Sequence, residues 1–176
     1  MKPIVFVFLC LITINEVLAE TIDASANNGT LGFVGEHAGM VFTGTFTRWQ
    51  AELVLPPAVN PKISAEFELN SATTGDSVYD STLPEGDWFD VENFPTATFE
   101  SESIVLGTDD KFEVIGNLQL RGKSLPVEFI LHRKDGKLTA EFDIDRLAYE
   151  IGAESDPDAE WVSQYINMRL TISTST

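Results

Sequence analysis

Apolar and polar residues alternate one by one through most of this chain. In ISAEFELNS, Ile63, Ala65, Phe67 and Leu69 share one face, and Ser64, Glu66, Glu68 and Asn70 share the other. LTAEFDI repeats the pattern, with Leu138, Ala140, Phe142 and Ile144 opposing Thr139, Glu141 and Asp143. Phe112, Val114, Leu118 and Leu120 make a third apolar face. Val127, Phe129 and Leu131 make a fourth, and Ile166, Met168, Leu170 and Ile172 a fifth. Successive strand side chains point to opposite faces, so a period of two specifies half-buried strands rather than helices. Thr30 to Leu55 accommodates about two more strands, with Phe33, Phe46, Trp49, Ala51, Leu53 and Leu55 facing inward.

Turn signals punctuate these runs at Pro56-Pro57, Gly107-Thr-Asp-Asp, Arg121-Gly-Lys-Ser and Asp135-Gly136. Asp-Gly between two alternating runs is a strong hairpin signal. The count is about eight strands joined mostly by short turns. Two longer interruptions, Ala72–Asn93 and Gly152–Trp161, stand apart, and the first is expected to hold a short helix over Ser81–Trp88. Strands with one apolar face must bury it, as a sandwich or a closed barrel. An eight-stranded barrel leaves an interior just wide enough for side chains or one slim ligand.

The N-terminus, MKPIVFVFLCLITINEVLAET, reads as a secretory signal peptide. Lys2 is the positive region, Ile4–Ile14 the short apolar run, and Val17 and Ala19 the small-residue cleavage positions. The apolar run is too short to span a bilayer. Cleavage after Ala19 removes 19 of the 176 residues and leaves 157, residues 20–176, enough for one domain. Cys10, the single cysteine, leaves with the leader, so no disulfide or thiol chemistry is expected. Leu9 before Cys10 argues against lipid modification. The leader carries Lys2 and Glu16, so the net charge of −17 is unchanged by its loss. A body this acidic repels phosphate backbones, which sets nucleic acid aside as a partner.

Signals for catalysis are sparse. Arg121-Gly-Lys-Ser124 resembles the tail of a phosphate-binding loop, but the first glycine of that motif would fall at Asn117, and both flanks alternate as strands. A hairpin turn is the better reading. His37 and His132 are the two imidazoles, far apart in sequence, and no metal site is expected from them. Glu154, Asp156, Asp158 and Glu160 alternate as Ca²⁺ ligands would, yet lack the EF-hand spacing, so they are expected to be a solvated acidic loop. Asn28-Gly29-Thr30 is a glycosylation sequon, meaningful only in a eukaryotic secretory pathway. No nucleophile–base pair stands out, and no cofactor is expected.

Four sets of residues, in order, resemble the YceI-like family of secreted, lipocalin-like barrel proteins. Leu31, Phe33 and His37 come first, followed by Gly39, Gly44, Phe46 and Trp49. The central signature is GDWFDVENFPTATFES, contributing Trp88, Phe89, Asp90, Val91, Phe94, Pro95, Ala97, Phe99 and Ser101. Gly116, Leu118, Leu120, Arg121, Gly122, Ser124, Pro126 and Val127 follow, then Arg146, Tyr149, Ile151 and Gly152. Gln119, where threonine is common, and the acidic loop Gly152–Trp161 depart from the pattern.

The resemblance implies an all-β, extended eight-stranded antiparallel barrel with short helical segments in its loops. It also implies an internal tunnel for a polyisoprenoid, a quinone tail or a fatty-acid derivative. On this reading the protein is a non-catalytic periplasmic carrier. The candidate tunnel or mouth residues are Phe33, His37, Phe46, Trp49, Phe67, Trp88, Phe89, Phe94, Phe99, Leu118, Leu120, Phe129, Phe142 and Tyr149. Whether the aromatic cluster at 88–99 plugs one barrel end or lines the tunnel stays open. Alternatives are an enzyme acting on a lipid or quinone head group, with His37 as its candidate, and an interaction module for a membrane redox partner. A homodimer is compatible with either. An outer-membrane barrel is disfavoured, because the outward faces are rich in Glu, Asp and Ser and the chain ends Ser-Thr-Ser-Thr.

Overall fold

The computed structural model describes residues 21–174, so the expected leader, residues 1–19, lies outside the described part. The strands are β1 (Thr21–Ser25), β2 (Gly29–His37), β3 (Met40–Phe46), β4 (Trp49–Val54), β5 (Lys62–Glu68) and β6 (Ala72–Thr73). After helix α1 (Ser77–Thr82) come β7 (Thr96–Leu106), β8 (Lys111–Leu120), β9 (Lys123–Lys134), β10 (Lys137–Asp145) and β11 (Tyr165–Ser173). All pair antiparallel in one sheet of order β1-β4-β5-β7-β8-β9-β10-β11-β2-β3-β6.

Eleven strands thus replace the eight expected, because three long strands are each interrupted. β1 runs into β2 across a kink held by Asn28, whose side chain accepts from the Ser25 amide and donates to the Asp23 carbonyl. The sequon asparagine is therefore a structural residue of the kink. β3 runs into β4 through Thr47-Arg48, and β5 into β6 through a 3₁₀ turn, Leu69–Ser71. The buried Ser71 joins these two breaks. Its hydroxyl accepts from the Arg48 amide at 3.1 Å and donates to the Glu68 carbonyl at 2.7 Å. Because β1–β2 pairs with β4 and β3 on one flank and with β11 on the other, the sheet curls into a ring.

The turns follow their sequence signals. Asp135-Gly136 and Arg121-Gly122 both have positive φ at both positions, the two-residue hairpin geometry whose twist matches the flanking strands. This settles Arg121-Gly-Lys-Ser as a hairpin. The helix lies at Ser77–Thr82 instead of Ser81–Trp88, because Asp76 caps it, accepting from the Val78 and Tyr79 amides, and Pro84 follows its last turn. β7 carries a bulge between Ser101 and Ser103, which shifts the alternation so that Ile104 faces inward after Phe99.

One apolar cluster fills the ring along its length. Phe112, Leu131, Leu138 and Ile172 close the end bearing the β9–β10 turn and are almost fully buried. Glycines make room for inward rings. A Cβ at Gly44 would lie 2.2 Å from Phe33, and one at Gly116 would lie 2.5 Å from Phe99.

Candidate functional site

Two contiguous chambers occupy the interior, each of about 90 Å³. The upper one is lined by Phe33, Phe46, Phe89, Trp88, Leu120 and Ile166, among others. The lower one is lined by Trp49, Leu53, Phe99, Val127, Phe129 and Phe142, among others. Phe67, Leu118, Ile144 and Met168 belong to both walls and stand between the two chambers. Arg146 is the one charged side chain among these walls.

The upper chamber is capped by the two segments that interrupt the strand pattern. Leu83, Trp88 and Phe89 come from the first, and Ile151 and Val162 flank the second. Arg146 binds the cap together. Its Nη2 pairs with Asp156 at 2.6 Å and donates to the Val162 carbonyl, Nη1 donates to Ile151, and Nε donates to Ser163. Both members are almost fully buried, at 2% and 6% side-chain exposure. Burial alone would raise the Asp156 carboxyl. Hydrogen bonds from the Val162 and Trp161 amides, the Arg146 charge and the Glu160 amide outweigh it, so its pKa lies below the ordinary value. Asp156 therefore corrects the expectation of a solvated acidic loop, although Glu154, Asp158 and Glu160 are exposed as expected.

Asp87 joins the same assembly. Its carboxylate accepts from the Glu154 and Ser155 amides and the Ser155 hydroxyl. Burial pushes its carboxyl up, but these bonds and the Arg121 charge hold it below the usual range. Arg121 donates to the Glu150 and Gly86 carbonyls, tying the β8–β9 turn to both cap segments.

Most of the sequence candidates meet in the two chambers. Phe33, Phe46, Phe67, Trp88, Phe89, Leu118 and Leu120 line the upper one, and Trp49, Phe67, Phe99, Leu118, Phe129 and Phe142 the lower. Three candidates line neither. His37 is bonded to the Tyr79 hydroxyl at 2.8 Å and packs edge-on against that ring. Phe94 covers the β8–β9 turn, lying 2.8 Å from where a Cβ of Gly122 would be. Tyr149 is buried beside β8, its hydroxyl pushed up to about 12 by burial. The rings of GDWFDVENFPTATFES therefore split three ways. Trp88 and Phe89 belong to the cap, Phe94 to a turn, and Phe99 to the barrel wall. Ile166, Met168, Leu170 and Ile144 also line the interior. The alternation gives their inward phase, although the signature residues do not single them out.

Two buried side-chain nitrogens have no acceptor among the described residues, Trp49 Nε1 and Arg121 Nε. The benzo edge of Trp49 lies 3.0 Å from the inward Cβ direction of Gly29, which places the indole inside the barrel.

An antiparallel barrel around an apolar interior closed by a loop cap defines a lipocalin-like barrel. The chain belongs to the YceI-like family, whose domain matches residues 21–174. A UPF0312 protein of Vibrio cholerae is 25% identical over 139 residues, covering 77% of this chain and 65% of that protein. The chain therefore spans just under two thirds of that relative's length. A UPF0312 protein of Pseudomonas aeruginosa is 36% identical over a shorter stretch of 66 residues, covering 38% of this chain and 34% of that protein. Among solved structures, BcnA of Burkholderia cenocepacia superposes with a TM-score of 0.76 at 22% identity, covering 84% of this chain and 96% of that one. A polyisoprenoid binding domain from Saccharophagus degradans, implicated in plant cell wall breakdown, superposes with a TM-score of 0.61 at 16% identity, covering 89% of this chain and 99% of that one. At these identities the structural likeness is one of fold.

Proposed function

We propose that this protein is a non-catalytic periplasmic carrier that holds one long apolar chain, a polyisoprenoid, quinone tail or fatty-acid derivative, inside its barrel. The observation that carries the reading is the pair of adjacent chambers with apolar walls, in which the single charged residue, Arg146, is already engaged by Asp156 and backbone carbonyls. The polyisoprenoid binding domain of Saccharophagus degradans shares this barrel and supports the ligand class. Lys2, the short apolar run and Ala19 support export with removal of residues 1–19.

Burial supplies the affinity. At roughly 0.8 kcal/mol per buried CH₂, one five-carbon unit contributes about 3–4 kcal/mol before ordering costs. Two chambers of about 90 Å³ are small beside ligand pockets of roughly 300–1,000 Å³. A bound chain must therefore displace wall side chains, and Met168, shared by both walls, unbranched and readily repacked, is suited to yield.

Mass spectrometry of an organic extract of the purified protein tests the reading, with a prenyl or acyl lipid expected at near-stoichiometric yield. A protein that comes out empty, and stays empty when offered prenyl alcohols and fatty acids, overturns it. Intact mass of the exported form should begin at Glu20. Retention of residues 1–19 would refute the location.

A further inference from the structure

The ladder between β9 and β10 is short. It pairs only Lys134 with Lys137, Arg133 with Leu138, and His132 with Thr139. Its neighbours run almost the full strand lengths, β8–β9 from Lys111↔His132 to Leu120↔Lys123, and β10–β11 from Lys137↔Ser173 to Asp145↔Tyr165. Past Thr139 the ladder ends and leaves a seam of unpaired positions in the wall, across which Phe129 and Phe142 still face each other. Pro126 lies on it. The two-residue turn at Arg121-Gly122 puts Lys123 and Leu125 in bonded phase with β8, so the missing N–H of Pro126 falls on the β10 flank. A proline in a sheet sits where no ladder bond is needed.

A groove opens on the outer surface along this seam. Glu128, Ile130, Glu141 and Asp143 line it, and so do Phe129 and Phe142, whose rings lie inside the barrel. Those same two rings line the lower chamber. They stack with centroids 4.8 Å apart and planes 19° apart. Phe129 and Phe142, together with Leu170, thus border both the groove and the lower chamber. Both ends of the barrel carry covering groups. The upper cap is locked by the buried Arg146–Asp156 pair, and the lower end is filled by Phe112, Leu131, Leu138 and Ile172.

The groove also selects by charge. Its three carboxylates, Glu128, Glu141 and Asp143, face one guanidinium, Arg169, which lies 3.6 Å from Glu141. An anionic end group would be repelled there, whereas a hydroxyl or carbonyl can use the backbone groups of Glu128 and Ile130 left without a strand partner on that flank.

We propose that the β9–β10 seam is the lateral portal to the interior, through which an isoprenoid chain with an uncharged polar end passes as Phe129 and Phe142 part, leaving that end in the groove. The proposal rests on the carrier reading. It is tested by extending the ladder covalently. Ile130→Cys and Glu141→Cys occupy the next bonded position of the existing register, in a chain where Cys10→Ser removes the other thiol. Retinol, an isoprenoid alcohol, is the probe, with uptake followed by its fluorescence. The oxidised form should load more slowly than the reduced form by about tenfold or more, and reductant should restore the rate. If no disulfide closes, a short bis-maleimide bridge across the same pair replaces it.

Equal loading rates in the bridged and open forms overturn the portal while leaving the carrier reading intact. A parent protein that takes up no retinol defeats both. Retinoic acid, with the same chain and an anionic end, should bind several-fold more weakly, and equal or tighter binding overturns the assignment of an uncharged end. Independently of ligand, the amides of Ile130 and Asp143 should exchange with solvent much faster than those of Leu131 and Phe142 on the same strands. Equal protection would show that the seam is closed.

Discussion

At the scale of single residues, the structure separates positions set by backbone conformation from those set by packing. Gly122 has a φ of +74°, and a Cβ there would lie 2.8 Å from Phe94. Gly122→Ala should therefore destabilise by about 1 kcal/mol or more in a denaturant titration. A neutral result would mean that the turn adopts another conformation. Trp49 presents the opposite case. Its indole N–H has no acceptor among the described residues, so Trp49→Phe forfeits no hydrogen bond and loses only ring volume. The cost should stay near 1 kcal/mol, well under the roughly 3–5 kcal/mol of an aromatic-to-Ala change in a core. A loss as large as the Ala variant's would show that the N–H is bonded in solution.

At the scale of elements, the cap is a unit distinct from the barrel wall. Two irregular segments meet over the upper chamber and are joined by Arg146, Asp156, Asp87 and Arg121. Asp156→Ala would leave the buried Arg146 charge unpaired, at about 3–5 kcal/mol. Chemical denaturation of the variant checks this, and a loss under about 1 kcal/mol would mean that the cap opens to water without it. The cap also carries an acid dependence. Asp87 and Asp156 have folded pKa values below the ordinary carboxylate value. Their stabilisation is therefore fully present above the unfolded value and is lost as pH falls through the folded values. The melting temperature should be insensitive to these two groups between pH 7 and about pH 5 and fall below about pH 4, and Asp156→Asn should flatten that fall. An unchanged acid limb in Asp156→Asn would assign it to other carboxylates.

At the scale of the whole molecule, charge and closure matter most. A net charge of −17 makes self-repulsion a general destabilising field. Four further ion pairs among the described residues, Arg48–Glu68, Lys62–Glu100, Lys123–Glu150 and Arg169–Glu141, are exposed and offset little of it. Raising salt from about 0.01 to 0.15 M should therefore raise the melting temperature, and a drop would mean that the exposed pairs dominate.

What could be read from sequence was local. The alternation of Ile63–Leu69, Phe112–Leu120 and Leu138–Ile144 determined strands, their inward faces and an apolar interior, because side-chain direction along a strand depends only on the parity of position. Asp135-Gly136 determined a hairpin, because few residue pairs adopt positive φ twice. Pairing across the chain was not local. Ser71 joining two strand breaks, the bulge after Ser101, and Asp156 buried against Arg146 while Glu154 stays in water all depend on partners distant in sequence. No period marks them. Closure of the sheet through β1–β2 and the early end of the β9–β10 ladder belong to the same class. Sequence determined which faces had to leave water. Only the tertiary structure decided how the ring closes around them, because closure is set by register and twist summed over every strand rather than by any one of them.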